Sequence, residues 1–230
     1  MGIRGLQKMT LLDWPGRVAC TVFLDGCDFR CPYCHNSSLL AAGEEPGLGE
    51  KELFSFLEKR RGLLDGVCVT GGEPLLWPPL EELLERIRDL GFPVKLDTNG
   101  AHPGRLRRLA ERGLIRYVAM DIKNSKQKYA RTVGRTELDL APIEESVSWL
   151  LGDAVDYEFR TTLVRQLHEE ADMEEIGRWI SGAKRYYLQG FVLREGVPDQ
   201  SLSSLSREEQ ERFAHRVRPF VQTVEIRGMD

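Results

Sequence analysis

Cys27-Asp28-Phe29-Arg30-Cys31-Pro32-Tyr33-Cys34-His35-Asn36 sets three cysteines in a C-x3-C-x2-C spacing. Soft thiolates suit iron–sulfur clusters, and three of them can hold three irons of a [4Fe–4S] cube. The fourth iron is then without a protein ligand, and an open metal position is where a substrate or cosubstrate binds. Structural zinc is the other reading of the same spacing. It closes with four ligands, so it needs His35 or a distant residue, and His35 follows Cys34 too directly to join the same tetrahedron easily.

Outward from this loop, short apolar strands alternate with amphipathic helices. The β-branched run Val18–Leu24 precedes the cysteines, and Glu50–Lys59 follows as a helix with Leu53, Phe54, Phe56 and Leu57 inward. Strands are expected at Val67–Thr70, Val94–Leu96, Tyr117–Ile122, Tyr157–Val164 and Tyr186–Leu193, with a further one at Val221–Ile226. Helices are expected from Leu80 to a stop at Gly91, and over Arg105–Glu111, Pro142–Leu151, Met173–Ile180 and Arg207–Val217. Strands separated by helices imply a parallel sheet with crossover helices, hence an α/β fold. No repeat or long linker interrupts the pattern, so one domain is expected over residues 1–230. The stretch from Ala41 to Gly49 reads as an exposed loop.

The bulk composition sets limits. A chain of 230 residues with 41% hydrophobic and 30% charged residues can build an ordinary core. Its net charge of −4 offers no attraction to nucleic acid or anionic membrane. The basic run Arg105, Arg107, Arg108, Arg112, Arg116 reads as the solvated face of a helix whose apolar side is Leu106, Leu109 and Ala110. No apolar run approaches the ~18 residues of a membrane span, and the N-terminus lacks a signal peptide's apolar segment. A cytoplasmic location is expected, with the cysteines as ligands and core thiols rather than disulfides. Cys20 and Cys68 lie within strand-like runs and read as buried inert thiols.

The polar signals recur at strand ends. The cysteine loop follows the first strand, Gly71-Gly72-Glu73-Pro74 the second, Asp97-Thr98-Asn99-Gly100 the third, and Asp121 and Lys123 close the fourth. In parallel α/β folds the C-terminal strand ends share the face that carries chemistry. Each signal also has a plain reading. Gly-Gly-Glu-Pro and Asp-Thr-Asn-Gly can be turns or caps, and Asp121 and Lys123 an ion pair. Arg160, inside a β-branched strand, must be paired or reach a ligand, because unpaired burial is costly.

Together these residues resemble the radical S-adenosylmethionine enzymes, and within them the activating enzymes of glycyl-radical proteins. The resemblance starts at Leu12-Asp13-Trp14-Pro15-Gly16-Arg17 and runs through Cys27–Asn36, Gly71–Pro74, Asp97–Gly100 and Asp121–Lys123 to about Leu193. The small size and the Met9–Gly16 opening are most similar to activating proteins of anaerobic ribonucleoside-triphosphate reductase. The resemblance implies a partial (β/α)6 barrel with parallel strands, a core over about 15–195, and a C-terminal helix and strand over 196–230. Cys27, Cys31 and Cys34 would bind three irons of a [4Fe–4S] cluster, and the fourth would chelate S-adenosylmethionine. Tyr33 and Asn36 would lie near the adenosine, and Gly71, Gly72 and Glu73 would hydrogen-bond the methionyl amino group. Asp97, Thr98, Asp121 and Lys123 match positions that hold the methionyl carboxylate end, in some relatives with a monovalent cation, and Arg160 matches an assisting arginine. Residues 35–70 hold no ligand-like cysteine, which places the chain among the single-cluster members.

The implied reaction starts with one electron passed to the sulfonium, supplied by a donor such as flavodoxin or ferredoxin. A 5′-deoxyadenosyl radical then takes the α-hydrogen of a glycine on the partner glycyl-radical enzyme. Two other readings share the cysteines. One is a radical S-adenosylmethionine enzyme acting on a small molecule, such as a carboxy-deazaguanine synthase. The other is a non-catalytic iron–sulfur or zinc module, which leaves Gly71–Pro74 and the aligned carboxylates without a purpose.

Overall fold

The computed structural model describes residues 2–40 and 47–228. Residues 41–46 of the expected Ala41–Gly49 loop therefore lie outside the described residues. The architecture is α/β, with eight strands in chain order in an open, mostly parallel sheet. The chain separates into two compact units. One comprises Met1–Asp28, Ser38–Thr98 and His102–Val118, and the other Phe29–Ser37, Asn99–Ala101 and Ala119–Asp230.

The first unit carries β1 (Ile3–Thr10), β2 (Ala19–Leu24), β3 (Gly66–Gly71) and β4 (Val94–Thr98), with α1 (Glu50–Lys59), α2 (Leu80–Asp89) and α3 (Pro103–Glu111). β2, β3 and β4 are parallel, in a register that pairs Leu24 with Gly71 and Val69 with Leu96. β1 was not expected. It is antiparallel to β2 and largely exposed along its middle, so its polar sequence lacks the apolar signal of a core strand. The Leu12–Arg17 motif closes one end of this core. Trp14, 3% exposed, packs with Ala19, Cys68 and Tyr117, and a Cβ on Gly66 would press into its ring at 2.6 Å. Only glycine leaves room there.

The second unit carries β6 (Asp156–Leu163), β7 (Arg185–Gly190) and β8 (Thr223–Arg227), all parallel, with β5 (Tyr117–Asp121) divided between the two units. Its helices are α4 (Tyr129–Thr132), α5 (Ala141–Leu151), α6 (Glu170–Trp179) and α7 (Arg207–Val217). A capping box, in which Ser206 accepts from Glu209 N and Glu209 reaches back, starts α7 at the expected residue. Phe213, Ala214 and Val217 are buried, and Arg212 and Arg216 bind Glu170 of α6. The last helix is thus packed within its own unit.

Two expectations are corrected. The strand foreseen over Tyr186–Leu193 ends at Gly190, and Val192 and Leu193 are exposed. Arg105 is not on a solvated face: it is half-buried and donates to the carbonyls of Leu75 and Trp77. Among the described residues no helix is long and apolar enough to cross a membrane.

Candidate functional site

The candidate residues fall at strand ends in both units. In the first unit, Cys27 follows β2 and the Gly-Gly-Glu-Pro turn follows β3. Gly72 N donates to Leu24 O at 2.9 Å and Glu73 N to Gly26 O at 2.7 Å, which stitches the two turns together. The glycines are required by space. Gly71 has φ +128°, and a Cβ on Gly72 would strike the Gly26 carbonyl and lie 3.3 Å from Cys27 Cβ. Glu73 is fully buried, and its Oε1 accepts from Leu75 N at 3.0 Å and Thr98 Oγ1 at 2.9 Å. Glu73 and Thr98, 25 residues apart in sequence, are thus brought together. Asp97 is paired with Lys95, a fully buried lysine two positions earlier on the same face of β4.

In the second unit, Cys31 and Tyr33 are buried and Cys34 and Asn36 half-buried, in a turn where Cys34 N donates to Cys31 O at 3.2 Å. Burial pushes the Cys31 thiol up to about 11 despite the opposing pull of Lys123, and raises Cys34 as well. The buried Tyr33 phenol stands close enough to Cys31 for each to perturb the other. Cys20 and Cys68, elsewhere in the core, are fully buried and pushed up to about 12, as inert thiols are.

Beside Cys31 lie three charges. Asp121 Oδ2 accepts from Lys123 Nζ at 2.8 Å, and its Oδ1 from Arg160 Nε at 3.0 Å. Burial alone would raise the Asp121 carboxyl, but Arg160 and Lys123 overcome it and hold it at about 2. Burial opposes the Lys123 charge too, and Asp121 outweighs it and keeps the ammonium protonated. Two cations, Lys123 and Arg160, thus share the Asp121 carboxylate. The ion-pair and ligand-contact readings of Arg160 are therefore compatible.

A cavity of about 230 Å³ opens at the ends of β6, β7 and β8, lined by His35, Thr162, Gln189, Val192, Arg194 and Arg227 among others. His35 stacks on Phe191 with ring centroids 5.4 Å apart, and its Nε2–H donates to Val192 O at 2.7 Å. Thr162, Gln189 and Arg227 occupy one row of paired positions across three strands. Sequence reasoning missed this row. The signal was parity: Thr162 lies two residues beyond Arg160, on the same strand face.

By donor chemistry, soft thiolates suit an iron–sulfur cluster. Cys27 stands in the turn after β2 of the first unit, beside Gly72, and Cys31 and Cys34 stand in one turn of the second, with Lys123 and Asp121 near Cys31. Among the described residues no group of three His, Cys, Asp or Glu side chains converges on a single ion.

A sequence profile of the Radical SAM superfamily matches residues 21–180. The chain belongs to the radical S-adenosylmethionine superfamily. Enzymes of this superfamily use a [4Fe–4S] cluster and S-adenosylmethionine. A Methanocaldococcus jannaschii protein named for glycyl-radical enzyme activation is 30% identical over 203 residues, covering 86% of this chain and 83% of the relative. A 7-carboxy-7-deazaguanine synthase of Hyperthermus butylicus is 38% identical over 89 residues, 38% of this chain and 37% of the relative. A crystallised domain of pyruvate-formate lyase-activating enzyme from Bacteroides vulgatus shares the fold, with a TM-score of 0.57 at 17% identity. It covers 71% of this chain and 99% of that one.

Proposed function

We propose that this radical S-adenosylmethionine enzyme activates a glycyl-radical protein, an anaerobic ribonucleoside-triphosphate reductase, in the cytoplasm. Residues 1–230 act as one domain in doing so. A [4Fe–4S] cluster held by Cys27, Cys31 and Cys34 would supply the one-electron reductive cleavage of S-adenosylmethionine, with flavodoxin or ferredoxin as the electron source. The protein supplies binding, orientation and exclusion of water, while the cofactor carries the hard step.

The observation that carries this chemistry is the pairing of both Lys123 and Arg160 with Asp121, close to Cys31. Lys123 and Arg160 would take the methionyl carboxylate in charge-assisted hydrogen bonds, with Asp121 fixing both cations. Gly71, Gly72 and Glu73 would meet the methionyl amino group, with Thr98 holding the Glu73 carboxylate and Lys95 holding Asp97. Cys27, Cys31 and Cys34 would hold the cluster, and loading must displace the thiol protons of Cys31 and Cys34 that burial retains. The adenosine would lie near Tyr33 and Asn36, toward the cavity beside His35, whose Gln189 amide offers a donor and an acceptor to a heterocycle edge. The glycine target is supported by the Methanocaldococcus jannaschii relative, which aligns over most of both chains.

A small-molecule substrate is the second reading, favoured by the shorter match to the deazaguanine synthase. The test is 5′-deoxyadenosine release under anaerobic, reducing conditions, with and without the reductase. Release by the wild type that rises with the reductase, and is lost in Cys34→Ala, is expected. Full cleavage by Cys34→Ala overturns the cluster assignment, and cleavage indifferent to any glycyl-radical protein overturns the activase reading.

A further inference from the structure

Every one of the five residues from Asp121 to Ser125 is gripped by a group from outside the segment. Tyr129 Oη donates to Asp121 O at 3.4 Å, Thr161 Oγ1 to Ile122 O at 2.5 Å, and His168 Nε2 to Lys123 O at 2.9 Å. Asn124 Nδ2 donates to Leu167 O at 2.9 Å, and Ser125 Oγ to Asp172 Oδ1 at 2.9 Å. Asp172 is itself held by Lys128 and by Glu169 N, both at 2.8 Å.

We propose that His168 is a positioning residue that sets the backbone of Lys123 so that its ammonium stands over Asp121, ready for an anionic ligand group. Nε2 faces the Lys123 carbonyl and must carry a hydrogen; Nδ1 lies 3.1 Å from Val164 N, from which the neutral ring accepts, and 3.3 Å from Val164 O. His168 is only 2% exposed, which favours this neutral ring. Without its N–H, the part-buried Lys123 carbonyl loses this donor and the residue is free to shift. Lys123 is charged and deeply placed, so a small backbone change separates it from Asp121.

The ligand half of this inference rests on Lys123 binding the methionyl carboxylate, whereas the positioning half does not. Two readouts separate them. The first is acylation of Lys123 by an amine-reactive ester, followed by mass spectrometry on the chain without S-adenosylmethionine. The second is the Kd of the cluster-loaded protein for S-adenosylmethionine. His168→Leu is expected to raise the Lys123 acylation rate and weaken Kd, each by about tenfold, the scale of one buried hydrogen bond. His168→Gln places an amide nitrogen near the position of Nε2 and is expected to restore both, whereas His168→Asn falls short and does not. If the leucine variant fails to fold, the Gln and Asn variants decide. Equal protection of Lys123 in all variants overturns the positioning role. If protection follows the pattern while Lys123→Gln leaves Kd unchanged, His168 positions Lys123 and the carboxylate-binding assignment fails.

Discussion

Arg160 Nε on β6 lies 3.0 Å from Asp121 Oδ1 at the end of β5, so one carboxylate ties the end of β5 to the middle of β6, 39 residues on. The same carboxylate takes Lys123 on its other oxygen. Both cations are therefore fixed by one carboxylate before any ligand arrives.

The depressed Asp121 carboxyl makes the pair pH-dependent. Its folded value of about 2 lies below the unfolded value of 3.8, so its stabilisation is fully present above pH 4 and lost as pH falls through about 2. The difference corresponds to roughly 2 kcal/mol. Asp121→Asn in the cluster-free chain should therefore be less stable than the wild type at pH 7 by about that amount. The gap should close between pH 4 and pH 2 in urea unfolding curves. A gap that stays constant down to pH 2 would mean that Asp121 stabilises by shape, not charge.

Lys95 is a second test of buried charge. It is fully enclosed, with Asp97 as its carboxylate partner. Lys95→Met should cost about 3 kcal/mol, because it leaves a carboxylate in the interior without its cation. Pairing it with Asp97→Asn should recover a large part of that loss, and the coupling in a double-mutant cycle measures the pair. Strict additivity would show that the two charges do not interact.

The thiols divide by role. In the folded, cluster-free chain Cys20 and Cys68, at about 12, should resist alkylation at pH 8 until the chain unfolds. Cys31, at about 11, should be slow, and half-buried Cys34 faster. Cluster loading should protect Cys27, Cys31 and Cys34 together, as site-resolved mass spectrometry would show. Reaction of any of the three at the free-chain rate after loading would remove it from the ligand set.

Much of this was legible in the residues. Helices such as Glu50–Lys59 and Arg207–Val217 carry their own punctuation in apolar spacing and caps, and strands β2 to β7 carry apolar runs. β1 was illegible because an exposed antiparallel edge strand needs no apolar face. The Tyr186 strand was read too long because Val192 and Leu193 look buried by type but stand in water beyond Gly190. At the site, Asp97, Asp121 and Lys123 announced themselves at strand ends, and Arg160 as a charge inside a strand. Lys95 and His168 did not, since one polar letter in a strand, or one histidine after it, gains meaning only from the partner that folding brings to it. The Thr162, Gln189 and Arg227 row was hidden for the same reason, its members lying on three strands.

The most direct measurement is an anaerobic electron paramagnetic resonance spectrum of the reconstituted, reduced protein mixed with S-adenosylmethionine and the host's anaerobic ribonucleoside-triphosphate reductase. A glycyl-radical doublet that requires both S-adenosylmethionine and this protein is the predicted result. No doublet, with 5′-deoxyadenosine still forming in the same tube, would contradict activation of that reductase.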